Sequence, residues 1–344
     1  MTSQSKSLPQ LTSSKLFLTE AGIETTLIYK RNIHLPSFST LPLLSTKEGT
    51  KALTSIYQDY INIALAHSTG IVLETRTWRG SPSWASELGL SIPQVLDLNR
   101  EAVNILQDLR REFQTPSTPI VISGTLGTLQ DAYKDSTISF SRAQENYRSQ
   151  VHVLAEEGVD MLSIMTVTNL NEGIAAITVA REFNLPIHVS FSIEIDGRLR
   201  GGRTLDDVIH EVDRLTENYT TYFGVNCAHP RHIMTALRDL PKDVRLRIGS
   251  IRGNASLKSH EELDNTLVLD RGDVSVYVGE SFGLLNLLPE LKVVGGCCGT
   301  DEEHLEALFW SDVKVLEPLK QDCLLFPSLT LIHIIHSLTN AHDD

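Results

Sequence analysis

Short apolar runs alternate with longer amphipathic stretches along most of the chain. The runs have the length of buried strands, and in the stretches apolar residues recur at the spacing of one helix face. The predicted strands are Lys15–Thr19, Gly70–Glu74, Pro119–Ser123, Met161–Thr166, Ile187–Ile193, Thr221–Asn226, Arg245–Ile251 and Leu291–Gly295. The predicted helices are Lys47–His67, Ile92–Phe113, Ser141–Glu157, Asn171–Phe183, Leu205–Thr216, Arg231–Leu240, Asp273–Leu288 and Asp301–Phe309.

Eight strands, each followed by a helix, predict a parallel barrel of the α/β class, the (β/α)8 or TIM barrel. We expect a single domain whose long connections, Tyr29–Thr46 and Asn254–Leu269, are βα-loop insertions over the active face. The polar residues 1–14 predict a disordered or loosely attached N-terminus, which leaves residues 15–344 for the barrel and its extension. The apolar segment Leu324–Leu338 predicts a C-terminal helical extension that packs on the barrel or on a second subunit.

The acidic balance of the chain limits its partners. The 344 residues carry a formal net charge of −13 at pH 7, whereas nucleic acid or an anionic membrane surface would require a basic patch. No stretch approaches the roughly eighteen apolar residues of a membrane span, and the N-terminus lacks the apolar core of a secretory signal. Four cysteines in so long a chain do not form a disulfide framework. We therefore expect a cytoplasmic protein in a reducing setting.

Two of the apolar strands end in cysteines. Cys227 follows one strand directly, and Cys297 and Cys298 follow another between glycines. Two strands that each end in thiols predict a three-thiolate site at one end of a sheet or barrel, and three thiolates suit zinc. A vicinal disulfide between Cys297 and Cys298, or ordinary buried cysteines, are the alternatives. Cys323 has no partner motif nearby and is predicted to be a bystander.

The motifs Gly-Val-Asn-Cys (224–227) and Gly-Gly-Cys-Cys-Gly-Thr (295–300) resemble the signature of the homocysteine S-methyltransferase family. The resemblance runs from about Leu16 to Leu316. It implies a zinc-dependent barrel with one Zn²⁺ per chain, held by Cys227, Cys297 and Cys298. It also implies transfer of a methyl group from S-methylmethionine, S-adenosylmethionine or betaine to the thiol of homocysteine, with methionine as the product.

The resemblance further implies substrate-binding residues in the loops that follow the strands. In the family the backbone of the first loop helps to hold the amino-acid substrate, and Glu20, Ala21 and Gly22 stand there. Glu20 and Ala21 depart from the usual Asp-Gly, and Glu24 adds a charge, so this loop could instead be a tight turn with solvated acids. The other predicted substrate-binding residues are Thr75, Thr77, Trp78, Glu172, Asn226 and Asn254.

Two of these loop residues have simpler alternatives. Glu172 matches a family glutamate that engages the amino group of homocysteine, but it could also be an ordinary acid stabilised by the N-terminus of a helix dipole. Trp78 could line a pocket for a cationic methyl donor or could only pack. Arg76 or Arg79 in the same loop could contact a carboxylate, because a guanidinium presents a planar fork matched to it.

Two alternative functions remain, of which the first follows from the altered first loop and the Thr-Trp-Arg loop (77–79). One keeps the zinc–thiolate chemistry but uses a different thiol or selenol as acceptor, and the other is a non-catalytic barrel that binds a thiol through zinc. The partners are therefore an amino-acid thiol and a methyl donor, and the apolar C-terminal segment indicates a possible homo-oligomer. The stretch Ser259–Asp264 is distinctive but suggests no role.

Overall fold

The structure is a computed structural model that describes residues 8–134, 138–264 and 266–310. Within these residues eight parallel strands pair in sequence order, and the last pairs with the first to close a barrel. The strands are β1 Phe17–Leu18, β2 Ile71–Glu74, β3 Ile120–Leu126, β4 Met161–Val167, β5 Ile187–Ser192, β6 Tyr222–Ala228, β7 Ile248–Gly253 and β8 Val293–Gly296. The predicted (β/α)8 architecture is confirmed.

A helix follows each strand and carries the same number. The helices are α1 Lys47–Ala66, α2 Ile92–Phe113, α3 Phe140–Glu156, α4 Leu170–Glu182, α5 Leu205–Thr216, α6 Pro230–Leu237, α7 Val274–Leu285 and α8 Glu302–Trp310. Capping boxes fix the starts of α2 and α5, where Ser91 and Thr204 accept from backbone N–H groups. Shorter helical turns are Pro9–Thr12, Ile23–Thr25, Thr26–Lys30, Pro36–Phe38, Leu41–Ser45, Pro82–Trp84, Lys242–Arg245 and His260–Leu263.

An apolar layer closes the N-terminal end of the barrel. Leu8 belongs to one buried cluster with residues at the starts of six strands, namely Phe17, Val72, Val121, Met161, Tyr222 and Val293. Gln10 is also buried, and its amide lies 3.3 Å from the sulfur of Met161. We expected residues 1–14 to be loosely attached. Two residues depart from this expectation, since Leu8 and Gln10 are buried in this layer, whereas Pro9, Leu11 and Thr12 are exposed.

Both predicted loop insertions lie over the C-terminal end of the barrel. The insertion after β1 and the insertion after β7 are built from short helical turns joined by irregular backbone. The hydroxyl of Tyr29, in the first insertion, donates to the carbonyl of Thr266, in the second, over 2.7 Å. The two insertions therefore meet beside the mouth of the barrel, where the strands end.

The chain divides into two compact units, residues 1–308 and residues 309–344. The first unit contains the barrel strands. Leu324–Leu338 and Cys323 lie outside the described residues, so the predicted domain organisation and C-terminal extension stay predictions. Among the residues that the structure describes, no helix is both long enough and apolar enough to cross a membrane.

Replacing Leu8 with alanine is expected to lower the free energy of unfolding by about 2–4 kcal/mol, because it removes a buried side chain and leaves a cavity. Leu11→Ala is the matched control, since Leu11 lies on the same turn with 37% of its surface exposed. The control should change stability by about 0.5 kcal/mol or less. Equilibrium unfolding in urea measures both, and equal stabilities for the two variants would contradict the docking of Leu8.

Candidate metal centre and active site

Three cysteines converge at the C-terminal end of the barrel. Cys227 is the last residue but one of β6, and Cys297 and Cys298 directly follow β8. Their sulfur atoms all lie within 4.8 Å of one another, and those of Cys227 and Cys297 are 2.8 Å apart. All three are free cysteines in the part of the chain that the structure describes, so the vicinal disulfide is not formed. The predicted convergence of the thiols is confirmed.

The backbone bends sharply at both cysteine-bearing strands. Cys227 has a φ of 57°, a left-handed conformation that is uncommon outside glycine, and the pairing of β6 with β7 shifts register beside it. After β8, the amide of Thr300 donates to the carbonyl of Cys297 over 3.1 Å and closes a turn. A Cβ at position 296 would collide with the Thr300 side chain, which explains Gly296. These bends let the three side chains face one point, which a regular strand does not allow.

Asn226 orients the sulfur of Cys227. Its amide nitrogen donates to this sulfur over 3.1 Å and to the hydroxyl of Thr166 over 2.9 Å. Its amide oxygen accepts from the backbone N–H of Thr166 over 3.1 Å. The side chain thus ties the end of β6 to the end of β4 while it directs a donor at the thiolate. Hydrogen bonds of this kind fix the direction of a ligand atom and tune a bound metal.

The three thiols share their first negative charge. The Cys297 and Cys298 thiols hydrogen-bond to Cys227 and hold its pKa well below the usual range, although burial acts in the opposite direction. The same hydrogen bond to Cys227 raises the pKa of Cys297 to about 12. Without a cation, therefore, one thiolate forms readily and the next is strongly disfavoured. A divalent metal removes this penalty, because it binds all three sulfurs as thiolates.

The donor set has three members. Among the described residues no fourth histidine, cysteine or carboxylate joins Cys227, Cys297 and Cys298 as a candidate ligand. His229 lies two residues beyond Cys227, but its Nδ1 accepts from the amide of Arg231 over 3.1 Å and caps α6. Three sulfur donors with an open fourth direction correspond to a catalytic rather than a closed structural zinc site.

A cavity of about 1180 Å³ opens above the three cysteines. Its walls come from the loops after the strands, including both long insertions. Three of the predicted substrate-binding residues line it, namely Trp78, Asn226 and Asn254. The Oδ1 atom of Asn254 is buried and has no hydrogen-bond partner among the described residues. The other predicted substrate-binding residues, which are Glu20, Ala21, Gly22, Thr75, Thr77 and Glu172, do not form part of the cavity lining.

Glu20 belongs to a buried network of charges beneath the cavity. Its carboxylate accepts from the amide of Glu74 over 2.6 Å and pairs with Arg76, while Arg252 pairs with Glu74. Burial raises the pKa of Glu20 to about 7, against the opposing effect of Arg76 and then Arg252. Arg76 also contacts Glu24 at 3.3 Å. The alternative of a solvated acid is therefore wrong for Glu20, which is buried and has protein groups as its partners.

The rest of the first loop supports the cysteine turn. Ala21 is buried, and the amide of Gly22 donates to the carbonyl of Thr300 over 3.1 Å. A Cβ at position 22 would lie 2.5 Å from the carbonyl oxygen of Cys297, which explains the glycine. The amide of Gly299 donates to the hydroxyl of Thr25 over 3.2 Å. The loop after β1 thus holds the loop after β8 in place from below.

Thr75 and Thr77 join the ends of β2 and β3. Their hydroxyls lie 2.6 Å apart, the hydroxyl of Thr77 donates to the carbonyl of Thr125 over 2.7 Å, and that of Thr75 accepts from the amide of Thr125 over 2.8 Å. Both residues are buried. Their hydroxyls therefore form hydrogen bonds within the barrel rather than with a ligand.

Glu172 is turned away from the cavity. Its carboxylate accepts from the amide of Leu129 over 2.6 Å and from the hydroxyl of Tyr147 over 3.4 Å, and only 1% of the residue is exposed. Burial raises its pKa. Glu172 thus holds the loop after β3, a role that neither sequence alternative described. The residues of β4 that line the cavity are Met165 and Thr166, and neither carries a charge.

A cluster of side chains from three loops covers Cys227. His260 places its Nε2 2.5 Å from the carbonyl oxygen of Cys227 and its Nδ1 3.3 Å from the carboxylate of Glu194. The ring of Tyr133 stacks on that of His260 with centroids 4.1 Å apart. The sequence suggested no role for Ser259–Asp264, and its only local signal was a capping box at Ser259, which begins the turn His260–Leu263.

The fold and this site define a (β/α)8 barrel with a candidate three-thiolate metal centre at the C-terminal ends of its strands. The family model described as Homocysteine S-methyltransferase matches residues 17–309. The chain belongs to the homocysteine S-methyltransferase family.

Individual relatives are distant. The chain is 25% identical over 227 residues to S-methylmethionine–homocysteine S-methyltransferase BHMT2 of Rattus norvegicus, and the match covers 60% of this chain and 59% of that protein. It is 20% identical over 313 residues to Homocysteine S-methyltransferase 1 of Arabidopsis thaliana, with 84% and 91% covered. The chain thus spans about three fifths of the rat protein, 59%, and of its Mus musculus counterpart, also 59%.

A solved structure shares the fold. The metallated form of the homocysteine methyltransferase MmuM from Escherichia coli superimposes with a TM-score of 0.68 at 18% sequence identity. The superposition covers 87% of this chain and 96% of that one. The apo form of the same protein matches with a TM-score of 0.59.

Removal of the Glu172 carboxylate is expected to weaken the barrel rather than substrate binding. Glu172→Ala leaves the amide of Leu129 unpaired and should lower the free energy of unfolding by about 1–3 kcal/mol. Glu172→Gln keeps an acceptor and should lose less than half of that. Urea unfolding and the KM of the thiol acceptor, measured on both variants, check this role. A fully stable Glu172→Gln protein with a strongly raised acceptor KM would contradict it.

Proposed function

We propose that this protein is a zinc-dependent methyltransferase that moves a methyl group from a small activated donor to the thiol of homocysteine, giving methionine. The observation that carries the proposal is the convergence of Cys227, Cys297 and Cys298 within 4.8 Å at the floor of a cavity. Membership of the homocysteine S-methyltransferase family supports it. Thiolate ligands require a reducing setting, so we also propose a cytoplasmic location.

The three cysteines fit one Zn²⁺ per chain. Zinc accepts thiolate ligands in a tetrahedral arrangement, and catalytic sites supply three protein ligands and leave the fourth position to substrate. The free cysteines and the missing fourth ligand among the described residues agree with this arrangement. When bound, zinc would favour the thiolate form of the acceptor at neutral pH and so make its sulfur a ready nucleophile.

The chain's own residues position the reaction. Asn226 directs its amide at the sulfur of Cys227, and His260 holds the carbonyl of the same residue. Gly22 and Thr25 hold the turn that carries Cys297 and Cys298. In-line displacement at a methyl group requires alignment of the two heavy atoms and no acid or base, so rigid support of the sulfurs is the protein's main contribution.

The donor is expected to be cationic. The cavity is lined by more carboxylates than basic side chains, among them Glu24, Glu194 and Asp131, and a sulfonium or quaternary ammonium group is favoured in such surroundings. We propose S-methylmethionine or S-adenosylmethionine, with betaine as the alternative. The rat and mouse relatives are S-methylmethionine-dependent by name, which supports the first. Trp78 and Asn254 are the lining residues that we assign to substrate contact.

A different thiol or selenol acceptor is the second candidate. One observation favours it: Glu172, the residue expected to bind the amino group of homocysteine, is engaged by Leu129 and Tyr147, and Met165 lines the cavity instead. If homocysteine is the acceptor, another carboxylate of the cavity must receive its amino group. Glu24 and Glu194 contact Arg76 and His260, but both line the cavity and are only partly buried, so we assign this contact to one of them.

Purified protein is expected to contain about one zinc per chain under reducing conditions. Cys298→Ala should weaken zinc binding by at least about 100-fold, because it removes one of three ligands. Cys323→Ala is the matched control and should bind zinc like the unaltered protein. Elemental analysis and competition with a chromophoric chelator measure both quantities. Absence of zinc from the unaltered protein, or equal losses in the two variants, would remove the basis of the proposal.

Homocysteine and S-methylmethionine are expected to give methionine when both are present with the zinc-loaded protein. The specificity constant for homocysteine should exceed that for cysteine by at least about tenfold, because one methylene of reach decides alignment over the metal. Product analysis by mass spectrometry checks the reaction. Equal rates with unrelated thiols would favour another acceptor, and zinc binding without any turnover would favour a thiol-binding barrel.

A further inference from the structure

Arg79 is held rigidly in the wall of the cavity. It follows β2, and its guanidinium carbon lies 3.8 Å from the ring centroid of Trp84 and 4.8 Å from that of Trp78. Trp84 is buried, and its ring nitrogen donates to the carbonyl of Thr128 over 2.9 Å. Arg79 itself lines the cavity. Two aromatic faces thus fix the guanidinium before any ligand binds, which reduces the ordering cost of binding.

Among the described residues, no carboxylate lies within ion-pair distance of the Arg79 guanidinium, and Asp131 and Glu87 act on its charge only from farther away. Arg76 pairs with Glu20, Arg252 pairs with Glu74, and Lys134 lies 3.5 Å from Asp131. Within residues 8–134, 138–264 and 266–310, Arg79 forms no hydrogen bond or salt bridge, and its Nε is buried without an acceptor. The ring nitrogen of the neighbouring Trp78 is likewise buried without an acceptor.

An unpaired guanidinium in a largely buried position is unfavourable unless an anion completes it. The planar fork of arginine matches a carboxylate. Because several carboxylates line the same cavity, a singly charged anion is favoured over a phosphate, and more so if the ligand also carries a positive group. A small molecule that combines a carboxylate with a cationic centre meets both conditions.

The position of Arg79 in the barrel indicates which substrate carries this carboxylate. The cysteines follow β6 and β8, on either side of β7, and in a closed barrel of eight strands the opposite wall is formed by β2, β3 and β4. In-line transfer places the leaving group of the donor on the side of the methyl group away from the attacking sulfur. The remote end of the donor therefore points toward the wall that contains Arg79.

We propose that Arg79 binds the carboxylate of the methyl donor. This inference rests on the proposed function, since it assumes a donor opposite the thiolate centre. Arg79 acts as a specificity-determining residue, and Trp78 and Trp84 hold it in the required orientation.

The test compares two donors that differ only in the carboxylate. Isothermal titration of the zinc-loaded full chain with S-methylmethionine and with its carboxamide gives the affinity of each. Arg79→Met should weaken the binding of S-methylmethionine on the order of 30-fold, which is the usual contribution of a charge-assisted hydrogen bond. The same substitution should change the affinity for the carboxamide by less than about threefold. Arg79→Lys should restore part of the loss. Lys134→Met is the control for removal of one positive charge from this cavity, and it should leave the affinities for both donors unchanged.

Steady-state kinetics separates the two substrates. Arg79→Met should raise the KM of S-methylmethionine and leave that of homocysteine unchanged. Equal losses for both donors, a raised KM for homocysteine instead, or an unaltered protein that binds neither donor would each overturn the assignment. Binding that depends on the carboxylate and on Arg79, without any methyl transfer, would retain the assignment and refute the proposed reaction. Methyl transfer that is indifferent to Arg79 would do the reverse.

Discussion

The close approach of three thiols, of which only one ionises readily without a cation, is the constraint on which the mouth of the barrel depends. The sulfurs lie within 4.8 Å of one another, and the pKa of Cys297 rises to about 12 as a result of its contact with Cys227. Such an arrangement is not what three independent cysteines would adopt, so the surrounding chain must impose it. Three features hold the sulfurs together, namely the left-handed backbone of Cys227, the amide of Asn226 and the glycines of the β8 turn. A cation that binds all three sulfurs as thiolates would remove the penalty for ionising the second and third thiols.

Buried charge pairs beneath the cavity determine which charges remain for a ligand. Arg76 pairs with Glu20 and Arg252 pairs with Glu74, so these two positive charges are balanced within the protein. The carboxylates of the cavity walls then outnumber its basic side chains, in agreement with the cationic donor that we propose. Arg79 supplies a localised exception on the opposite wall. A site that attracts a cation at one point and a carboxylate at another would bind the proposed donor in one orientation.

The barrel was predictable because its signal is repeated eight times and each repeat is local. Helices α2 and α5 begin and end where the sequence placed them, since Ser91 and Thr204 cap their starts. The convergence of the cysteines was also predictable, because parallel strand ends must meet. Leu8 was missed because one apolar residue in a polar segment has no periodicity. Its burial depends on the opening at the base of the barrel, which only the assembled strands create.

Side-chain direction beyond the strand ends could not be predicted. Glu172 lies on the first turn of α4, and only the position of the loop after β3 decides that its carboxylate meets Leu129 rather than the cavity. His260 contacts Glu194 and Tyr133, which belong to two other loops. Contacts among loops depend on the lengths and paths of several segments at once. The sequence specifies those paths, but no local pattern reveals them.

The network around Glu20 changes the meaning of the unusual first loop. Glu20 stands where the resemblance led us to expect aspartate, and its longer side chain reaches both Arg76 and the amide of Glu74. An aspartate would end about one carbon–carbon bond, roughly 1.5 Å, short of these partners. Glu20 and Arg76 are therefore coupled, although Glu24 also contacts Arg76 and Arg252 lies 3.7 Å from Glu20. A shorter acid at this position would leave the amide of Glu74 without its side-chain acceptor, so the length of the first-loop acid and the path of the chain after β2 are linked.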